Sequence, residues 1–323
     1  MKFILTVRNK IGNIYQKYPR ISGYIGRLVF ALICFMIVRS GCGYNVLFTN
    51  IWFVLVLSVF CAFAPTRFLV LIVLIYITVQ ASSLSLGVGA VLGTVLLIIY
   101  LIYFRFDAGQ MYLVFLMPVF ALAKVPLLLV LVLAVTAPME TLIAVVCGNL
   151  IYYMIRYINM NAAVISGMTG ESEITKMTLV INGTFRNEEF LYTMVILVLI
   201  FLLVYYLKKL NVSQANYIAI AVGCGAYIIL CIIANLAFGT VSASRLVSII
   251  TGTVAAGLLA LLAVYAVLPL DYTRIETFEF EDDEYHYYVR AVPKAVIKKE
   301  SVRVKKINTR REVNSEKSRE KQR

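Results

Sequence analysis

The chain has 323 residues, of which 61% are hydrophobic and 15% are charged, and its mean hydropathy is +0.87. This balance lies outside the range of soluble domains, so we expect the solvent of the fold to be a membrane. The single histidine, His286, lies in the polar C-terminal part, which excludes a His-rich metal centre or a Ser/His relay in the apolar region. The six cysteines form no CxxC pair and are interpreted mainly as small buried side chains. No cofactor and no metal site are predicted.

The N-terminal segment, residues 1–20, carries five basic residues and no acidic residue. Its apolar residues recur with roughly helical spacing, which favours a helix on the cytoplasmic membrane surface, held by anionic lipid headgroups. A partner-binding arm is the alternative. No cleavable signal is expected, because no clear apolar core and small-residue cleavage site follow the charges.

Apolar runs of about 20 residues are the length that a bilayer crossing requires. The transmembrane domain is therefore predicted over 21–268, and Arg27 is interpreted as an orienting charge near the cytoplasmic side. The spaced small residues Gly252 and Ala256 predict close helix packing in the last crossing. Seven clear crossings are predicted near 21–38, 46–64, 67–82, 84–104, 190–207, 215–238 and 246–268.

The stretch from Asp107 to Arg156 is apolar but is interrupted by Pro118, Pro126 and Pro138, which predict short helices joined by bends. Interrupted helices that carry charged groups are typical of transporter substrate and ion sites. The candidate polar pathway or gate therefore consists of the ionisable residues at the breaks and at the edge of this stretch, which are Arg105, Asp107, Lys124 and Glu140.

Two arrangements of these charges are open. Lys124 is expected toward the outer side and about 24 Å from Glu140 along a straight helix, so the two are not expected to pair. A cytoplasmic cluster of Arg67 with Arg105, Asp107 and Glu140 is the more concrete hypothesis. The alternative is that all four are charges at helix ends in short connections.

The number of crossings follows from charge. Both ends of the chain are strongly basic and are predicted to be cytoplasmic, which requires an even number of crossings. Because seven crossings are clear, 107–157 has to supply an odd number. Three short crossings give ten in all, and the predicted fold is an all-α polytopic integral membrane protein of about ten transmembrane helices in a bacterial plasma membrane. One crossing with a re-entrant hairpin fits equally well, since the middle piece is only about 20 Å long.

The longest connection between crossings, 158–189, is predicted to be an extracytoplasmic amphipathic loop. Lys208 and Lys209 mark the cytoplasmic end of the next crossing, so the start of that crossing and the loop before it are expected outside. Asn187 is predicted to cap that crossing, and Glu188 and Glu189 suit the positive start of a helix.

Within this loop, Ile174, Met177 and Ile181 share one helical face, which indicates a helix lying on the outer membrane surface. A lid over a pathway is the alternative.

After Pro269 the composition becomes polar. Residues 269–293 alternate with a period of two on either side of the acidic pair Asp282–Asp283, which predicts a small cytoplasmic β-hairpin. The basic run 294–323 is predicted to be disordered and to meet anionic headgroups rather than nucleic acid. The candidate partner-binding residues of the tail are Phe278, Phe280, Tyr285 and Tyr287.

Three segments, residues 187–191, 204–210 and 278–294, resemble a group of bacterial multi-spanning membrane proteins with an acidic and aromatic C-terminal tail. The resemblance covers roughly the C-terminal half and the broken stretch. It implies no activity, substrate or site.

The predicted function is a transporter or permease-type component. No GxxxxGK[ST] loop is present, so any ATP hydrolysis is expected from a separate subunit. The alternative is a membrane scaffold or assembly factor that recruits a cytoplasmic protein through its tail. An enzyme is not predicted, because HExxH and GxSxG are absent and no Asp pair lies in the membrane region.

Overall fold

The computed structural model consists of helices followed by two short strands. Most of the basic segment 1–20, the acidic turn at Asp282–Asp283 and the basic run 294–323 lie outside the residues that the structure describes. The described residues are 17–106, 112–168, 172–210, 214–238, 243–267, 276–281 and 286–291.

Five helices form the N-terminal half of the bundle. The predicted crossing 46–64 is split at Asn50, whose side chain accepts the backbone N–H of Trp52 and so starts a new helix. Asn45 caps the short helix before it in the same way, through the N–H of Leu47. The helices are α1 (Pro19–Cys42), α2 (Val46–Thr49), α3 (Ile51–Phe63), α4 (Thr66–Ser82) and α5 (Leu86–Phe106).

The proline-containing stretch forms three helices and a 3-10 turn. Breaks occur before Pro126 and at Pro138, as predicted, but Pro118 lies inside a helix. The bend expected at Pro118 is therefore absent. Its neighbours Val114 and Met117 are buried, and this packing outweighs the loss of the one backbone bond that the proline removes. The elements are α6 (Tyr112–Leu122), α7 (Pro126–Thr136), the 3-10 turn Met139–Thr141 and α8 (Leu142–Met160).

Five further helices follow. The predicted cap at Asn187 is confirmed, since its side chain accepts the N–H groups of Glu189 at 2.9 Å and of Phe190 at 3.3 Å. The helices are α9 (Ala162–Gly167), α10 (Glu173–Phe185), α11 (Glu188–Leu207), α12 (Ala215–Ala237) and α13 (Ala243–Val267).

The two strands, β1 (Glu276–Glu281) and β2 (His286–Ala291), pair in antiparallel register. Phe278 lies opposite Val289 and Phe280 lies opposite Tyr287. These four positions alternate along the strands, so they share one face of the sheet.

The architecture is that of an α-helical membrane protein. In the described part of the chain, six helices are long and apolar enough to cross a membrane, and large apolar side chains such as Trp52 and Phe63, each 71% exposed, lie on the bundle surface. The six are 20–41, 86–103, 139–160, 188–207, 215–237 and 244–267, and the shorter apolar helices are 51–63, 66–82, 112–122 and 126–136.

At one end of the bundle, here called the Arg27 end, two cations cap helix C-termini. The Arg27 guanidinium donates to the carbonyl of Ala64, after the last turn of α3, at 2.8 Å. The Lys208 ammonium donates to the carbonyls of Ala137 and Val135, at the end of α7, at 3.1 and 3.3 Å. The last carbonyls of a helix lack partners within it, so these cations satisfy them and oppose the negative end of the helix dipole.

At the opposite end, here called the Glu173 end, the first residue of α10 contacts the start of α5. The Glu173 carboxylate accepts bonds from the Ser85 hydroxyl at 2.5 Å, the Gly87 N–H at 2.6 Å and the Lys176 ammonium at 2.9 Å. These three donors lower the pKa of Glu173 from 4.5 to about 2. The carboxylate thereby caps the N-terminus of a neighbouring helix.

This contact fixes how α10 is rotated. Val180 and Thr184 are buried against the protein, whereas Ile174 is 70% exposed and Ile181 is 42% exposed. Of the apolar face predicted from the sequence, Met177 is half-buried beside Gly87, whereas Ile174 and Ile181 are left exposed. The position of this face on the outer membrane surface stays a prediction.

We expect Glu173→Gln to lower the melting temperature of the detergent-solubilised protein by a few degrees near neutral pH, because an amide holds these donors less strongly than a carboxylate does. A depressed pKa stabilises the fold above the unfolded value of 4.5, and this contribution is lost as the pH falls through about 2. The difference between wild type and variant should therefore shrink between these values. Glu140→Gln, at an exposed carboxylate, is the matched control, and an equal Glu173→Gln difference at every pH would contradict the assignment.

Candidate functional site

Helices α6 and α7 form a helical hairpin whose tip is Lys124. Each helix has eleven residues and is therefore about 16 Å long, roughly half of a 30 Å hydrocarbon core. The turn closes through bonds from the N–H of Lys124 to Ala121 at 3.0 Å and from Val125 to Phe120 at 2.9 Å. Lys124 adopts a left-handed backbone conformation, with φ of 61°, which costs a non-glycine residue about 1–2 kcal/mol. Such residues concentrate at functional sites.

The tip lies part way along α13 rather than at its end. A Cβ atom added to Gly252 would lie 2.7 Å from the carbonyl oxygen of Lys124, so this contact requires a glycine. Gly252 follows Ala243, the first residue of α13, by nine positions, which is about 13 Å along the helix axis. The hairpin therefore enters from the Arg27 end and stops about 13 Å short of the Glu173 end.

A cavity of about 420 Å³ extends from the Glu173 end down to the hairpin tip. Its wall contains Ser244 and Arg245 from the first turn of α13, and Gly252 and Thr253 from deeper in that helix. A side lobe of about 190 Å³ contains Asn149 and several tyrosines. The charged residues that line both spaces are Lys124, Arg156, Glu189 and Arg245.

The Glu189 carboxylate lies between two arginines. Arg156 Nη1 is 3.1 Å from Glu189 Oε1, and Arg245 Nη2 is 3.9 Å from Glu189 Oε2. The side chains are 35%, 30% and 36% exposed for Arg156, Glu189 and Arg245, so the group is half-buried and still reaches the cavity. Three separate helices, α8, α11 and α13, supply these residues.

Neighbouring side chains hold the arginines in place. The Arg156 guanidinium lies over the Tyr153 ring, 5.7 Å from its centroid. Arg245 Nη1 donates to the side-chain oxygen of Asn235 at 3.4 Å, and Asn235 donates to the carbonyl of Cys231 at 2.7 Å. Both arginines thus have a second anchor besides Glu189, which keeps their guanidinium groups oriented toward the cavity wall.

Two polar groups in the cavity wall have no partner among the described residues. The side chain of Lys124 is exposed, and its ammonium forms no hydrogen bond or ion pair with any residue that the structure describes. The side-chain nitrogen of Asn149 is buried and likewise lacks an acceptor in the described chain. Buried polar groups are normally hydrogen-bonded, so an unsatisfied donor beside a cavity indicates a place for a ligand or water.

The electrostatic character of the site is positive. Three basic side chains and one acidic side chain line it, which leaves a formal excess of two positive charges among the described residues. No group of three His, Cys, Asp or Glu residues that suits a metal ion occurs in the part of the chain that the structure describes. The arrangement suits an anion rather than a cation.

Of the four candidate gate residues, only Lys124 and Glu140 have side chains that the structure describes, and these two lie apart. Lys124 lines the cavity, whereas Glu140 is exposed on the 3-10 turn at the Arg27 end, so the expected separation of these two is found. Arg105 lies in the last turn of α5, where only the backbone is described, and Asp107 lies outside the described residues. The hypothesis of a cluster of these residues with Arg67 stays a prediction.

The tail candidates are only partly described. Phe278 and Phe280 have described backbones in β1, Tyr287 in β2 is 36% exposed, and Tyr285 lies outside the described residues.

Three residues of the site, Arg156, Glu189 and Arg245, were not predicted from the sequence. Glu189 was explained as a helix-start charge, and the two arginines were given no role in the site. A signal was nevertheless available, because Arg156 and Arg245 lie at the helix ends predicted to be outside the cytoplasm. Basic residues are normally depleted there, so these two called for a specific explanation.

No protein-family model, curated protein or solved structure matches the chain.

We expect Gly252→Ala to displace the hairpin tip and to reduce the free energy of unfolding by about 1–3 kcal/mol, because the new methyl group overlaps the Lys124 carbonyl. Gly225→Ala in α12 is the matched control, since a Cβ atom there has nothing within 4 Å. Thermal unfolding in detergent measures both. Equal stability of the two variants would show that the tip does not rest against α13.

Proposed function

We propose that the protein is a transporter or permease-type component that receives a small polar solute in the cavity above Lys124. The observation that carries this proposal is a charged hairpin tip about 13 Å below the end of an apolar helix, in an open polar cavity. Solute sites of transporters are typically built near the middle of the membrane from interrupted helices. The protein itself has no ATPase in this proposal, and any ATP hydrolysis belongs to a separate subunit.

The membrane explains why such a tip indicates function. A cation within the hydrocarbon is costly unless water or protein surrounds it, and ionisable residues at that depth commonly mark a substrate or ion route. Lys124 has no described counter-ion to account for it as a structural charge. Its exposure to the cavity supports a role in binding.

The proposed orientation places the Arg27 end in the cytoplasm of a bacterial cell and the Glu173 end outside. The basic segments 1–20 and 294–323 support it, because positive charge is retained on the cytoplasmic side. The sequence left open whether 107–157 forms three short crossings or one crossing with a re-entrant hairpin. The short arms of α6 and α7 support the re-entrant hairpin. The proposed topology is therefore eight crossings and one hairpin, built from ten apolar helices.

The route toward the cytoplasm is closed in this conformation by α7. Its neighbours α11, α12 and α13 surround it, and Leu131, Val130 and Ala134 are fully buried. Breaks before Pro126 and at Pro138 isolate this helix from the elements on either side. In the proposed cycle, α7 moves as a rigid element about these breaks and opens the cavity to the other side.

A scaffold that recruits a cytoplasmic protein is the second candidate. The antiparallel pair β1 and β2 supports it, because a two-stranded sheet is only marginally stable alone and offers edges to which a partner strand can add. In that function the cavity has no role, and residues 271–323 carry the activity.

Solute counterflow in proteoliposomes separates the two candidates. The probes are labelled inorganic phosphate, glutamate, lysine, choline and glucose. We expect wild type to exchange at least one of them and Lys124→Gln to reduce that exchange about tenfold, because a charged contact contributes roughly 1.5–3 kcal/mol. Arg186→Gln is the matched control, since it removes a cation from the same end but outside the cavity wall.

A chain lacking residues 271–323 should retain the exchange. Absence of exchange for every probe with wild type, or equal exchange by wild type and Lys124→Gln, would contradict the transport proposal. Loss of exchange only on deletion of the tail would favour a function centred on the tail.

A further inference from the structure

The charged wall of the cavity indicates which class of solute it takes. We propose that the cavity binds a small anion of the phosphate or carboxylate type, held by Lys124, Arg156 and Arg245, and that Glu189 is a resident carboxylate with which this anion competes. The inference rests on the proposed function for its role in transport. The binding it predicts can be measured separately.

Arginine pairs favour this class of ligand. A guanidinium group presents a planar fork of donors that matches the oxygens of carboxylate and phosphate. The two arginines are attached to different helices, α8 and α13, and both already contact one carboxylate through its two oxygens. The two arginines thus already bind a carboxylate of the protein itself, which is the type of group that we propose as the ligand.

Glu189 alone does not balance the positive charge of the cavity wall. Because Lys124, Arg156 and Arg245 face a single carboxylate, an excess of two positive charges remains in the wall among the described residues. Because these side chains are half-buried, this excess of charge is more costly than it is in solution. A bound dianion neutralises it, whereas a cation increases the imbalance.

The neutral groups of the wall are also suited to an anion. The unsatisfied side-chain nitrogen of Asn149 is a donor, and the hydroxyls of Ser248 and Tyr227 lie in the same wall. Cavities of roughly 300–1,000 Å³ are typical of small-molecule sites. The main space of about 420 Å³ is therefore large enough for an organic phosphate or a di- or tricarboxylate as well as for the inorganic ion.

Glu189 gives the proposal a distinctive consequence. If Glu189 were only a structural partner that holds the arginines in place, its removal would weaken anion binding. If it competes with the ligand, Glu189→Gln frees donors on both arginines and raises the positive charge, so affinity for an anion increases. Lys124→Gln has the opposite effect, because it removes a cation and no described structural contact.

A phosphate ligand of this cavity has two possible sources. A phosphate group reaches the cavity either as a free solute or as the headgroup of a phospholipid in the outer leaflet. Free phosphate and a short-chain phosphatidylglycerol distinguish them, because only the second carries acyl chains.

The test is isothermal titration calorimetry on the full chain in detergent, after removal of co-purified lipid. The titrants are inorganic phosphate, citrate, short-chain phosphatidylglycerol and choline. We expect wild type to bind phosphate or citrate and not choline, Lys124→Gln to bind about 10- to 100-fold more weakly, and Glu189→Gln to bind about tenfold more tightly. Arg186→Gln should bind like wild type.

Binding of the lipid without binding of phosphate or citrate supports the anion site and assigns the headgroup as its source. Binding of choline alone, or of none of the four, overturns the proposal. Anion binding that Lys124→Gln and Glu189→Gln leave unchanged overturns the assignment to this cavity. If the anion binds but no solute is exchanged in proteoliposomes, the transport function is contradicted and the anion site is retained. If only a neutral solute or a cation is exchanged, the transport function is retained and the anion site is contradicted.

Discussion

A cation within the hydrocarbon of a bilayer has to be surrounded by protein or water, and this constraint organises the C-terminal half of the molecule. Lys124 lies at the tip of a helical hairpin whose arms have only eleven residues each, and the proposed topology places this tip within the membrane. The backbone of the tip rests on α13 at Gly252, and the arm α7 is enclosed by three longer helices. The side chain lines a polar cavity. Each of these features would be unnecessary if position 124 carried an apolar residue at the surface.

Charges elsewhere in the bundle have a different role, and the contrast helps to identify the site. Arg27, Lys208 and Glu173 each occupy the end of a neighbouring helix and satisfy backbone groups that the helix leaves unpaired. Arg156, Glu189 and Arg245 bond to side chains of one another and of residues around the cavity instead. Contacts of the first kind stabilise the fold. The second kind places oriented donors around a space, as expected of a binding site.

The positions of the helices were largely predictable from the sequence, because span length and caps are local properties. The crossing predicted at 190–207 occurs at Glu188–Leu207, and the one predicted at 215–238 occurs at Ala215–Ala237. The depth of the hairpin was not predictable, since it depends on a contact between Lys124 and Gly252, which are far apart in sequence. The contact between α10 and α5 was not predictable for the same reason, because the bond from Gly87 to Glu173 joins residues that are far apart in sequence. Lys124 was predicted, but Arg156, Glu189 and Arg245 were missed because each has an ordinary explanation when it is considered alone.

The central claim is that residue 124 lies deep in a cavity that is open to the outside, and thiol accessibility tests it most directly. Lys124→Cys and Ser172→Cys are introduced into a chain whose six native cysteines have been replaced, and intact cells receive either a small membrane-impermeant thiol reagent or a maleimide carried on a long polyethylene glycol. We predict that the small reagent labels both positions and that the large one labels only position 172. Labelling of position 124 by both reagents would place the tip at the surface, as in ten full crossings, and labelling by neither would mean that no open cavity reaches it.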